Sequence, residues 1–160
     1  MSIIKAELHA HLEGTISPNL FQKLSYRNQL AIPEGLISTD GQSYCYRDFL
    51  HFLKVFDVVA DSIKHPRDYY DVTFDYLQSN ARNGAIYIEM MYSPDHAEMT
   101  SGIPSQEHLI AIQQAIDDAY TQFNIIGRII ITAVRHFGEE AAIRVAENGI
   151  KTNLPCVVGF

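Results

Sequence analysis

Two short segments, AIYIEMMYS (85–93) and RIIITAV (128–134), are apolar at nearly every position. A half-exposed strand or a surface helix would interrupt such a run with polar residues at a regular period. Near-continuous apolarity over so few residues marks strands covered on both faces, the strands of parallel sheets. Between and around them lie segments of helical period. YRDFLHFLKVFDVVADSI (46–63) is one, and HPRDYYDVTFDYLQSNARNG (65–84) is another, with Pro66 in its first turn and Gly84 as its stop. PSQEHLIAIQQAIDDAYTQF (104–123) and GEEAAIRVAENG (138–149), the latter ended by Gly149, complete the set. A first strand is expected in IIKAELHAHL (3–12) and a last in PCVVGF (155–160). In TISPNLFQKLSYRNQ, Ser17 is an N-cap and Pro18 fits the first helical turn, whereas 31–46, with Pro and two Gly, reads as a loop.

The order strand, helices, strand, helix, strand, helix, strand predicts right-handed crossovers and an α/β fold with a parallel sheet. A complete (β/α)8 TIM-type barrel takes about 250 residues. Four strands in 160 residues therefore match the first four strands of such a barrel with their helices, a small doubly wound sheet being the alternative. A net charge of −7 with no basic patch excludes nucleic acid as a partner. The longest apolar run, IIGRIIITAV (125–134), is broken by Arg128 and too short to span a bilayer, so no membrane partner is expected. The N-terminus lacks a basic region followed by an apolar one, and Cys45 and Cys156 follow no disulfide or zinc spacing. A cytoplasmic location is the expectation.

Chemistry concentrates at the end of the first strand, in ELHAHLEGT (7–15). Residues two apart on a strand point to one face, so His9 and His11 converge. At the C-terminal end of a barrel's first strand they would project where active sites of that fold are built. Paired imidazoles suit a metal, yet two ligands fall short of the three protein ligands of a catalytic zinc site. On spacing alone, two ordinary histidines are the competing reading. The 46–63 helix raises a second question. Phe49, Leu50, Phe52, Leu53, Val55 and Phe56 wrap it more broadly than a surface stripe, so it must be covered on several sides or line a pocket.

KAELHAHLEGTISPNL resembles the opening of the adenosine deaminases, a purine-deaminating family of the amidohydrolase superfamily. DFLHFLKVFD (48–57) is similar to that family's Phe-rich helix beside the substrate, and GAIYIEMMYSPDHA (84–97) to its second strand and following loop. RIIITAVRHFGEE (128–140) resembles its third strand, and VVGF the approach to its fourth, all in the family order. The resemblance implies that residues 1–160 are the N-terminal half of a metal-dependent deaminase barrel. It implies hydrolytic deamination of adenosine to inosine and ammonia by a zinc-activated water. His9 and His11 become the first two Zn2+ ligands, and Phe49, Leu50 and Phe56 a hydrophobic wall over the substrate, with plain core packing as the other reading of those three.

Glu13 stands where the family places an acidic residue against the sugar hydroxyl. That residue is usually Asp in animal adenosine deaminases, and the longer Glu leaves room for adenine as substrate. Gly14 would let the backbone turn beside the metal. The family's proton donor and remaining ligands belong to the second half of its barrel, so no catalytic residue is expected within this chain. HFGE (136–139) imitates the family's catalytic His-Ala-Gly-Glu in letters but follows the third strand instead of the fifth. Glu89 is expected to be a buried polar or inter-strand partner, and His51, His65, His96 and His108 to be solvated. The implied partners are a purine nucleoside or base and a C-terminal half-barrel, or self-association through exposed strand edges. A non-catalytic α/β module is the reading from another class.

Overall fold

A computed structural model describes residues 3–160. It contains four strands, β1 (Lys5–His11), β2 (Ala85–Tyr92), β3 (Ile126–Ile131) and β4 (Val157–Gly159). All pair in parallel in the order β1-β2-β3-β4. The helices are α1 (Pro18–Arg27), α2 (Phe49–Ala60), α3 (Pro66–Arg82), α4 (Pro94–Ser101), α5 (Ser105–Phe123) and α6 (Glu139–Thr152). The α/β class and the parallel order are those the sequence predicts.

Local chemistry sets most element ends. Ser17 caps α1 by accepting from the Leu20 amide at 3.2 Å, with Pro18 directly after it. Asp48 caps α2 by accepting from the His51 amide at 2.8 Å. Asp68, fully buried, accepts from the His65 and Lys64 amides, from Asn28 Nδ2 at 2.8 Å and from Arg27 at 2.7 Å, which pins α1 to the start of α3.

Boundaries differ from expectation, β3 running Ile126–Ile131 instead of 128–134, and two of the differences have a visible cause. Helix α6 does not stop at Gly149 but runs on until Asn153 turns the chain in the left-handed region. Gly149 lies against β3 at ordinary contact distance, an added Cβ meeting Ile131 at 3.5 Å, and its backbone continues the helix. The stretch after β2, expected as loop, forms α4, started by Pro94 and ended by Gly102 at φ +72°.

The two faces of the sheet are covered unequally. Ile88, Met90, Tyr92, Ile129 and Ile131 are fully or almost fully buried. They pack with Leu77 of α3 and Ile112 and Ile116 of α5 in one apolar core. The alternate residues Tyr87, Glu89, Met91, Arg128 and Ile130 are only half-buried. The second cover that the apolar runs predict is absent among the described residues. Strand β1 is exposed along nearly all its length. No helix among the described residues is long and apolar enough to cross a membrane.

Candidate active site

The C-terminal ends of β1, β2 and β3 lie side by side, and the residues that follow them form one rim. His11 is in register with Met91, which places it on the open face of the sheet. His9 shares that face by its spacing. The two imidazoles are exposed, with ring centroids 5.8 Å apart and edge to face. Among the described residues no three His, Cys, Asp or Glu side chains converge as a metal-binding group. The donor set present therefore fits part of a zinc site: two nitrogen ligands of the right kind on one strand end, one short of the usual three.

Immediately after β1 the chain tightens into a 3-10 turn, Leu12–Thr15. Leu12 and Glu13 are buried there, Glu13 only 8% exposed. Burial pushes its carboxyl up to about 7, against the opposing pull of its backbone and Tyr69 hydrogen bonds. The Tyr69 hydroxyl donates to Glu13 Oε1 at 3.1 Å. Gly14 has no positive φ; what it supplies is room. A Cβ there would lie 3.2 Å from the Phe56 ring, so a larger residue would push that ring back by a few tenths of an ångström. Glu13, Gly14, Tyr44, Phe52, Val55 and Phe56 share a small cavity of about 60 Å³.

The aromatic residues of α2 divide. Phe56 is half-buried and lines that cavity beside Glu13. Phe49 and Leu50 are 70% and 71% exposed on the outer part of the helix. Phe49 stacks on Phe52 at 6.2 Å and Tyr46 meets Phe52 edge to face at 5.3 Å, which makes a solvent-facing aromatic row. A larger cavity of about 450 Å³ opens between α6 and β4. No titratable side chain lines it, so volume alone does not mark the site.

Glu89 is half-buried and accepts from Tyr87 of its own strand at 2.8 Å. Arg135 and His136 lie exposed on a 3-10 turn after β3, and Glu139 opens α6, also exposed. His108 corrects the expectation that it is solvated, because it is fully buried. His51 and His96 are half-buried and His65 is exposed.

Sequence reasoning missed what surrounds His108. Ser101 donates its hydroxyl proton to the Ala97 carbonyl at 2.7 Å, so at 3.3 Å it accepts from His108 Nε2. His108 Nδ1 is then the acceptor for the Tyr92 hydroxyl at 3.0 Å. Burial pushes this imidazole down to about 4, with Glu98 pulling the other way. The His108 and Tyr92 rings lie 4.6 Å and 5.4 Å from the ring of Tyr69. Tyr69, Tyr92 and His108 thus stand in a buried row behind Glu13, with half-buried Ser101 at its end. The signal was in the helical period: His108 shares its stripe with Ile112, Ala115 and Ala119, and Tyr69 shares one with Val72, Thr73 and Leu77. A tyrosine on a core-facing stripe needs a partner for its hydroxyl.

Comparison with known proteins bears on this rim. The family profile described as adenosine deaminase matches residues 4–160. An adenine deaminase of Sinorhizobium medicae is 35% identical over 156 residues, covering 98% of this chain and 47% of that protein. One of Agrobacterium fabrum is 36% identical over 158 residues, covering 99% and 47%. The chain spans about half the length of these relatives. Among solved structures, an adenine deaminase of Arthrobacter aurescens superposes with a TM-score of 0.78 at 22% identity, over 97% of this chain and 48% of the other. An amidohydrolase of Burkholderia ambifaria, crystallised with bound Zn, gives 0.81 at 22%, over 99% and 43%. An Arabidopsis protein complexed with GMP gives 0.75 at 19%, over 99% and 48%.

Proposed function

The chain belongs to the adenosine deaminase family, and from that premise we propose that it is the N-terminal half, residues 1–160, of an enzyme that hydrolytically deaminates a 6-aminopurine, free adenine ahead of adenosine. One observation carries the reading: the Glu13 carboxyl, two residues beyond His11 at a strand's C-terminal end, is buried against Phe56 and held by Tyr69. A buried acidic group beside a flat apolar wall suits a planar base with polar edges. In such a site Glu13 binds the purine edge, Phe56 packs on its face, and Phe49 and Leu50 extend that wall toward solvent. The names of the relatives at 35% and 36% identity support adenine over adenosine. The burial of Glu13 supports it too, since a carboxyl enclosed by its own fold has less reach toward a ribose.

The reaction adds water at C6 of the ring and releases the amino nitrogen as ammonia, leaving oxygen at C6. His9 and His11 are the ligands this chain supplies to Zn2+, which when bound makes a water acidic enough to react near neutral pH. The general acid and the other ligands come from the half of the barrel beyond these residues, so this chain holds no catalytic residue of its own. Edge strands β1 and β4 receive that second half. Where it is missing, the same edges pair with a second copy. The reading includes a cytoplasmic location, which two free cysteines support, and neither nucleic acid nor membrane as partner.

The test is to compare release of ammonia from adenine and from adenosine by the full-length enzyme, with and without a chelator. Strong preference for adenosine overturns the order of substrates. Activity indifferent to chelation removes the metal. A zinc-free protein that binds purines but turns over neither one leaves the non-catalytic α/β module.

A further inference from the structure

Glu13 sits on a turn of four residues and owes its burial to neighbours from distant parts of the chain. Tyr69, on the first turn of α3, reaches it with a hydroxyl at 3.1 Å while its own side chain is 2% exposed. Tyr69 cannot swing away. The rings of Tyr92 and His108 pack against it, His108 is held at both nitrogens by Tyr92 and Ser101, and the adjacent Asp68 is anchored by Arg27 and Asn28. Each contact comes from a different element, so the position of the Tyr69 oxygen is set by β2, α4, α5 and α1 together.

We propose that Tyr69 is a positioning residue for purine binding: its hydroxyl fixes the Glu13 carboxyl in the orientation that meets the substrate, and the Ser101–His108–Tyr92 row fixes Tyr69. The inference rests on the reading of Glu13 as the substrate contact. A carboxylate offers about four acceptor sites over two oxygens. With one oxygen engaged by Tyr69, the group keeps acceptors for a substrate N–H at little further cost in rotamer freedom. Without the hydroxyl the same carboxyl must be ordered by the substrate itself, which weakens binding and leaves the chemical step alone.

The experiment is a double-mutant cycle with Tyr69→Phe and Glu13→Ala in the full-length enzyme, reading adenine turnover by kinetics and adenine binding by calorimetry. Tyr69→Phe keeps the ring and removes one oxygen. The expected result is a KM raised about tenfold with kcat within about twofold, and a change of less than about twofold in kcat/KM when Glu13 is already Ala. Equal effects in both backgrounds overturn the proposal, as does a fall in kcat at constant KM. Ser101→Ala, far from the substrate, should raise KM about threefold through the loosened row. If Tyr69→Phe does not fold, an unchanged KM in Ser101→Ala overturns the proposal instead. A wild type that binds adenine without deaminating it sinks the deaminase reading, and the cycle read on Kd still decides the role of Tyr69. A wild type that does neither overturns both.

Discussion

The two faces of this sheet do different work with residues from the same strands. On the helix-covered face, Ile88, Met90, Ile129 and Ile131 meet Leu77, Ile112 and Ile116 with no exposed surface to speak of. One residue further along each strand, Tyr87, Glu89, Met91 and Arg128 stand half-open beside exposed histidines. Under α3 and α5 the covered face of β2 and β3 is closed by residues of this chain, whereas β1 stays exposed. The open face carries the polar groups suited to chemistry and lacks a cover of its own. Stability and activity should therefore separate cleanly by face, which gives a series of ways to break the comparison.

The largest effect is expected on the open face. His9→Ala or His11→Ala should remove zinc, measured by metal analysis of the full-length enzyme. Turnover should fall at least a thousandfold, on the order of 4 kcal/mol in the barrier, with the melting temperature almost unmoved. Normal metal content in either variant would make them ordinary surface histidines. On the covered face, Ile88→Ala should cost roughly 2–4 kcal/mol in denaturant unfolding while kcat per folded molecule holds.

His108 is neutral when folded, pushed down to about 4, but titrates near its ordinary value when unfolded. Between those values the unfolded chain binds a proton that the folded one does not, so stability is full above about pH 6.5 and is lost as pH falls toward 4. The loss should amount to roughly 2–3 kcal/mol. It is read as the difference between wild type and His108→Gln, which removes the titrating group and keeps a donor and an acceptor. Parallel curves for the two proteins would take His108 out of the account. The smallest effect returns to the open face: Met91→Ala should cost under about 1 kcal/mol, since that side chain is only partly buried.

The same division explains what the sequence makes legible. Strands covered by helices announce themselves by their apolar runs, and Ser17–Pro18 and Asp48 announce helix starts through local hydrogen bonds. His9 and His11 are legible because a period of two places them on one face. Gly149 misleads because a glycine ends a helix only where the chain turns left-handed, and here Asn153 makes that turn. His108 misleads because its partners, Tyr92 and Ser101, come from other elements, and a charged residue type on an apolar stripe is ordinarily weighed by type. The Glu13–Tyr69 contact joins residues whose proximity depends on the whole β1–α3 arrangement, which no local pattern encodes.

The strand register also orders events in time. Lys5 pairs with Ala85, whereas Tyr87 pairs with Ile126 and Ile129 with Val157. Closing the first of these loops costs about 1 kcal/mol more chain entropy than closing the last. The strand that pays it is an edge strand with little surface buried in return. For these residues alone, the imidazole-bearing strand should therefore dock late in folding and leave early in partial unfolding. Its amides should exchange with solvent ahead of those of β2 and β3.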